Sequence, residues 1–281
     1  AIVFLQDKIG LDSHPKGTHK NEKIIEARGD INVLTEARAL AAKTRKGQFA
    51  PGQIIACVEA AINEDNFDDG MKKEADYFLE CLLHPQREAM IHIFFGERAA
   101  SKISDVPKDT PLLPINSARV VGSGTMGGGI AMNFANAGVP VFVLDQDEKN
   151  LKRGMSVIER NYQMMVDRGR MLPEQKDAVM NLITPTLRYE DLSEVDIAVE
   201  AVYENLALKQ EIFKSLDMHI NDNAILASNT SGLDIDAIAS VTNRPEKVVG
   251  THFFSPANIM RLLEVVKGEV SSNETMATVM S

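Results

Sequence analysis

At 281 residues, 44% hydrophobic and 25% charged, the chain is long enough for one large domain or two ordinary ones with a substantial core. Its 30 Lys and Arg against 40 Asp and Glu give a formal net charge of −10. That balance argues against a general nucleic-acid binder, which needs a basic face, but leaves room for a local basic pocket. Cys57 and Cys81 form neither a disulfide framework nor a metal spacing, and fit a reducing compartment. The opening "AIVFLQDKIG" is neither a signal peptide nor a membrane span. The chain starts at Ala1 and stops at Ser281 in the helical-looking "SSNETMATVMS", so the expectation is a piece of a larger polypeptide.

Residues 1 to about 50 read as polar and mixed, with His14, Pro15, Gly17 and His19 in a turn-rich stretch. The two histidines have no neighbouring Cys and no helix to set their spacing, so a solvated loop is preferred over a metal pair. From about Pro51 to Ser101 the pattern is helical. Ile54, Val58, Ala61 and Ile62 recur at helical spacing, as do Ala75, Phe78, Leu79 and Leu82. "LHPQ" interrupts at Pro85, and "EAMIHIFFGERAA" resumes with His92 as a core or groove histidine. "DVPKDTPLLP", with Pro107, Pro111 and Pro114, reads as an extended linker and marks the domain boundary. The expected division is a helical tail and linker over 1–105, a Pro-rich linker over 106–117 and a second domain over 118–281.

Beyond it, short apolar runs alternate with helical patterns. "ARVVG", "VPVFVLD", "DIAVEAV", "AILASNT" and "VVGTHFF" are strand candidates, and Leu151, Met155, Ile158, Tyr162 and Met165 follow helical spacing between the second and third. Strands separated by helices predict α/β architecture: a Rossmann-type, mostly parallel sheet with helices on both faces, preceded by a helical linker segment. The first strand runs into "GSGTMGGGIAMNFANAG", which places Gly122, Gly124 and Gly127 in GxGxxG spacing. A lone GxGxxG is weak, but here a strand precedes it, a helix follows and a second strand ends in an acid. The glycines suit a tight turn, close approach of backbone to a pyrophosphate, and close helix–strand packing, with phosphates on the helix N-terminus. Asp145 lies 18 residues beyond Gly127, where a ribose-binding acid belongs; Gln146 follows it and no arginine stands beside it, which favours NAD over NADP.

The remaining polar residues gather where later strands end: Glu204 with Lys209 beyond it, Ser228 to Ser231, and His252 inside the apolar run "GTHFFSPANIMRLLE". Ligands of open parallel sheets bind beyond the carboxyl ends of the strands. Taken singly, His252 reads as a core histidine, Ser231 as a helix cap and Lys209 as part of a solvated helix face; their convergence on one edge favours a catalytic site.

"GSGTMGGGIA", "VEAVYENLALKQEIF", "ASNTSGLDI" and "GTHFFSPANIMRLLEVV", in this order, resemble the NAD-binding domain of L-3-hydroxyacyl-CoA dehydrogenases from about Ala118 onward. "HFFSPANIMRLLEVV" looks closest to multifunctional fatty-acid β-oxidation enzymes, in which this dehydrogenase follows an enoyl-CoA hydratase/isomerase. "QFAPGQIIACVEAA" and "REAMIHIFFGERAASK" resemble the tail and linker joining the two halves. The resemblance implies NAD as cofactor, held by Gly122, Gly124, Thr125, Met126, Gly127, Asp145, Gln146, Glu204, Lys209, Ser231 and Ser255, and an acyl-CoA substrate. It implies His252 as general base, Glu264 as the carboxylate that orients it, and Ser231 as a hydrogen-bond partner of the substrate oxygen. Such a His–carboxylate pair suits proton transfer near neutral pH. Relatives continue into a helical domain that closes the acyl-CoA cleft and often mediates a homodimer, and the chain stops before it. Nothing in the sequence supports hydratase chemistry, and Ser255 stands where many relatives have Asn. The alternative expectation is a module that holds NAD without turnover of its own. Compartment stays open among peroxisome, mitochondrion and bacterial cytoplasm.

Overall fold

The computed structural model describes Ile24, Arg28 and residues 31–281, so His14, Pro15, Gly17 and His19 lie outside the described residues. The chain divides into two compact units, 1–102 and 103–281.

The described part of the first unit is helical: α1 (Ile31–Thr44), α2 (Ala50–Asn63), α3 (Phe67–Leu83) and α4 (Gln86–Ala100). Helix α1 departs from the polar, mixed reading of the first fifty residues. "INVLTEARALAAKT" carries four alanines and leucines in its second half, residues with high helix propensity, and buries Leu34. Pro51 begins α2 where a missing N–H costs nothing. Asn66 caps α3, its side chain accepting from Asp69 N at 2.9 Å, with Asp68 and Asp69 in the first turn where the helix dipole favours acids. His84 and Pro85 separate α3 from α4, the break expected at "LHPQ".

The second unit is built on one seven-stranded sheet: β1 (Ala118–Val121), β2 (Val141–Leu144), β3 (Ile183–Thr186), β4 (Ile197–Glu200), β5 (Ile225–Ser228), β6 (Val248–Phe253) and β7 (Leu263–Lys267), in the order β3-β2-β1-β4-β5-β6-β7. The first six are parallel and β7 runs antiparallel to β6. All five expected strands are present. Their near-continuous apolar runs are those of strands covered on both faces, and β1, β4 and β5 are buried at every position. Helices α5 (Thr125–Asn136), α6 (Glu148–Asp167), α7 (Pro173–Met180), α8 (Leu206–His219), α9 (Ile235–Ala239) and α10 (Asn273–Met280) complete the unit. Strand order reverses between β1 and β4, so the crevice of this doubly wound sheet opens beyond their carboxyl ends.

Two apolar cores follow from the alternation of side chains across each strand. Val120, Val143, Val199 and Ala227 face Ile130 of α5 and Ile158 and Tyr162 of α6. Val121, Leu144, Ala198 and Leu226 face Ile212, Phe213 and Leu216 of α8 and Ile238 of α9. The expected helix around Leu151, Ile158 and Tyr162 is α6, started by Asp147, whose side chain accepts from Asn150 N at 2.9 Å. Burial pushes the Tyr162 phenol up to about 12, and its hydroxyl donates to Asn136 Oδ1 at 3.0 Å.

Strands β3 and β7 were not expected. Strand β3 holds Pro185, which normally argues against a strand. The carbonyls of Leu182 and Thr186 accept from β2, so the odd-numbered Pro185 turns its missing N–H outward at the sheet edge. The Pro-rich residues lie within the second unit: Val106, Leu113 and Ile115 pack on its core, and Asn116 N and Ser117 N donate to Asp196 Oδ2 at 2.6 and 3.1 Å.

Arg244 locks the end of α8. Its Nε donates to Asp217 Oδ1 at 2.7 Å, and Nη2 donates to the carbonyls of Asp217 and Ile220, which α8 leaves without helical partners. Both side chains of this ion pair are nearly inaccessible. Arg244→Met is expected to cost about 3–5 kcal/mol, because Asp217 keeps a buried charge with its cation gone. Thermal unfolding would show the loss, and a melting temperature unchanged within a degree or so would contradict it.

Candidate active site and cofactor cleft

The glycine-rich turn between β1 and α5 is shaped by three different constraints. Gly122 has φ +103°, and a Cβ there would stand 2.7 Å from the Ala201 carbonyl oxygen. A Cβ on Gly127 would fall 1.8 Å from the Gly122 carbonyl oxygen, so α5 and the turn touch backbone to backbone. A Cβ on Gly124, the residue that precedes α5, would meet no protein atom within 4 Å. The middle glycine therefore faces the solvent side of the cradle, beside the free N–H groups that open α5.

A cleft of about 560 Å³ opens there, lined by Gly122, Gly124, Thr125, Met126, Asp145 and Gln146, with Val202, Leu208 and Ile212 supplying an apolar wall. Its size and mixed lining suit a dinucleotide end. Asp145 Oδ2 accepts from Ser123 N at 3.0 Å and Ser123 Oγ at 2.6 Å, and Oδ1 accepts from Asp147 N at 3.2 Å. Burial alone would raise this carboxyl, but the Ser123 hydroxyl and the surrounding backbone N–H groups outweigh it and hold the acid below the ordinary aspartate value of 3.8. A depressed carboxyl stabilises the fold above its ordinary value, and that stability is lost as pH falls through the lower folded-state value. Asp145→Asn is therefore expected to flatten the stability profile below about pH 4 and to weaken NADH binding at pH 7 by about tenfold, through loss of a charged acceptor. Acid titration of unfolding and NADH affinity check the two halves.

Sequence reasoning missed Ser123, the variable residue inside the GxG, whose hydroxyl orients Asp145. It also missed Arg153, which lines the same cleft from α6. No neighbour in sequence signals it; one helical turn and the packing of Gly154 against Ser123 bring it there.

Glu204, Thr230, Ser231 and His252 stand at the ends of β4, β5 and β6. Parallel register pairs Glu200 with Ser228 and Ser228 with Gly250, so Thr230 and His252 lie two residues further on along neighbouring strands. Glu204 Oε1 accepts from Thr230 Oγ1 at 2.5 Å and Ser231 N at 2.9 Å. Burial would raise the Glu204 carboxyl, but these two donors and Lys209 hold it below its ordinary value. The Ser231 side chain is exposed, and Asn229 Oδ1 accepts from Phe253 N at 2.9 Å, tying the serine loop to the backbone beside His252.

His252 and Glu264 face each other across the antiparallel β6–β7 pair, as direct partners in register. Their side chains meet, His252 Nδ1 to Glu264 Oε2, at 2.9 Å. The spacing of twelve residues is thus the span of one strand end, a connection and the start of the next strand. His252 is partly covered, its ring 4.7 Å from that of Phe254, while Glu264 is half exposed. Lys209 is not on a solvated face: it is fully buried and paired with Glu200, a residue that the sequence did not single out. Ser255 is exposed in the β6–β7 connection and does not line the cleft, nor do Glu204, Ser231 or His252. Among the described residues no group of three His, Cys, Asp or Glu could hold a metal ion, and no helix is long and apolar enough to cross a membrane.

A parallel doubly wound sheet, a glycine cradle at its switch point and an acid at the end of β2 define a dinucleotide-binding domain of the Rossmann class. The chain belongs to the 3-hydroxyacyl-CoA dehydrogenase family: residues 117–281 match its NAD binding domain. It is 35% identical over 286 residues to the fatty acid oxidation complex subunit alpha of Psychrobacter cryohalolentis, covering 99% of this chain and 39% of that protein. It is 37% identical over 253 residues to the peroxisomal bifunctional enzyme of Cavia porcellus, covering 88% and 34%. Among solved structures it resembles (S)-3-hydroxybutyryl-CoA dehydrogenase from Ralstonia eutropha, with TM-score 0.58, 34% identity and 59% of each chain covered. It also resembles the dehydrogenase part of multifunctional enzyme 1 from C. elegans, with TM-score 0.57, 32% identity and coverage of 64% and 42%. The chain spans between a third and two fifths of the length of these curated relatives.

Proposed function

We propose that this chain carries the cofactor half and the catalytic base of an NAD-dependent L-3-hydroxyacyl-CoA dehydrogenase of fatty-acid β-oxidation. The observation that carries the reading is the His252–Glu264 contact of 2.9 Å on the same sheet edge as the glycine cradle. In this reading Gly122, Gly124, Thr125 and Met126 receive the pyrophosphate, Gly127 packs the cradle, and Asp145 with Gln146 receives the ribose. Bound NAD supplies the acceptor for the hydride that leaves C3 of the substrate.

The chain's own residues handle the proton. Glu264, as a carboxylate, only accepts hydrogen bonds, so the His252 ring carries its proton on Nδ1 and presents the Nε2 lone pair. Nε2 takes the proton of the 3-hydroxyl as the C3–H bond breaks, and a carbonyl forms at C3. The imidazolium so produced faces the Glu264 carboxylate. The Ser231 hydroxyl donates to the substrate oxygen, and Glu204 holds the backbone that carries it. In this reading residues 1–105 are the tail of a preceding hydratase-type half and 118–281 the cofactor domain, with 106–117 a connection that packs on the core of the second unit.

A second reading, a cofactor-holding module without turnover, is favoured by one observation: Glu204, Ser231 and His252 do not line the cleft at the glycine cradle. NADH consumption with acetoacetyl-CoA separates the two. Steady oxidation of NADH is the expected result. NADH binding without oxidation would assign this chain to the second reading.

A further inference from the structure

The proton-transfer scheme leaves the buried acid Glu200 unused. Glu200, the last residue of β4, and Lys209, one turn into α8, are both fully buried. The Glu200 carboxylate accepts four hydrogen bonds from three groups: Lys209 Nζ at 2.8 Å on Oε1 and 2.9 Å on Oε2, Val202 N at 2.7 Å, and Ser228 Oγ at 2.7 Å. Four such bonds fill the lone-pair positions of a carboxylate. Lys209 in turn faces Glu204 Oε2 at 3.4 Å, and Glu204 holds Thr230 and the amide of Ser231. A continuous polar chain therefore runs Glu200–Lys209–Glu204–Ser231. It also grips the backbone of Val202 in the wall of the cofactor cleft.

Stability alone is a poor explanation for this arrangement, since well-packed apolar side chains of similar volume commonly do as well as a buried ion pair. An apolar pair could not hold Val202 N and Ser228 Oγ while also fixing Glu204. We infer that Glu200 is a positioning residue: through Lys209 it sets where Glu204 sits, and through Glu204 where the Ser231 backbone is held. The inference rests on the dehydrogenase reading for its effect on rate, but its effect on the Ser231 loop is independent of that reading. With Glu200 neutralised, Glu204 is the only ion-pair partner of the buried ammonium left among the described residues. Lys209 then draws Glu204 away from the Ser231 amide.

The test uses Glu200→Gln, Ser231→Ala, the double variant of those two, and Glu200→Gln with Lys209→Met. Hydrogen exchange reads the amide of Ser231 directly, and steady-state kinetics with acetoacetyl-CoA and thermal unfolding accompany it. Glu200→Gln is expected to speed exchange at Ser231 while amides of β2 keep their protection. It should lower kcat about 10- to 100-fold, the scale of a displacement near 1 Å. The double with Ser231→Ala should be no slower than the slower single, because both act at one point. Removing both charges together should restore the melting temperature but not kcat. Unchanged exchange at Ser231 in a folded Glu200→Gln protein, additive rate losses, or kcat returning with stability would each overturn the inference. NADH binding with no turnover in the unaltered protein would overturn the dehydrogenase reading instead, and the exchange result would still decide the role of Glu200.

Discussion

Replacing His252 by Gln is expected to lower turnover by about 10²–10⁴-fold, the range that a positioned general base supplies, while NADH affinity stays within about twofold. Glutamine keeps the length and polarity of the side chain but has no lone pair basic enough to take the hydroxyl proton. The position lies two residues beyond Gly250 at the rim of the sheet, away from the glycine cradle, so the cofactor cleft is left as it was. Glu264→Gln should cost less. A carboxamide can still meet Nδ1 through its oxygen, but it no longer balances the imidazolium, and the half-exposed Glu264 is already partly screened by water. The pair of variants is measured by kcat for acetoacetyl-CoA reduction and by NADH titration. An unchanged rate in His252→Gln would sink the catalytic assignment; lost NADH binding in the same variant would mean that His252 shapes the cleft.

Strands and cradle were legible in the sequence because each is written in local residues. β1, β4 and β5 are short apolar runs buried on both faces, and the glycines of the turn sit a few residues apart. Glu204, Ser231 and His252 were legible one level up, as polar residues that follow apolar runs, since a parallel sheet delivers all strand ends to one edge. Three features depended on partners distant in sequence and were not legible. Strand β3 tolerates Pro185 only because the edge of the sheet lies on that side, and no local pattern says which strand is the edge. His252 and Glu264 are paired in the sequence by the family resemblance alone; the physical reason for their twelve-residue spacing is β7, whose antiparallel register puts the two residues opposite each other. Lys209 reads as a solvated lysine on a helix until Glu200, nine residues before it and on another element, is found beneath it.

Gly127→Ala is expected to remove both stability and cofactor affinity, and Gly124→Ala to remove affinity alone. A methyl on Gly127 would stand 1.8 Å from the Gly122 carbonyl oxygen and 2.8 Å from its carbonyl carbon, and both are backbone atoms that no rotamer change can clear. Helix α5 must lift from β1, breaking the packing of Ile130 on Val120 and reshaping the turn that would meet the pyrophosphate. Overpacking of this kind costs about 3 kcal/mol, and NADH affinity should fall more than about tenfold with it. On Gly124 the same methyl meets no protein atom within 4 Å, so the fold is indifferent to it. It would instead occupy the approach to the N–H groups that open α5, where an anionic ligand is held. Thermal unfolding with and without NADH reads both effects, because a ligand at free concentration L that binds only the folded state stabilises it by RT ln(1 + L/Kd) and so raises the melting temperature. Gly127→Ala should melt early in either condition. Gly124→Ala should melt with the unaltered protein when NADH is absent and fail to follow it upward when NADH is added. A full NADH-induced shift in Gly124→Ala would mean that the phosphates pass elsewhere, and that the cradle at the end of β1 is a structural turn.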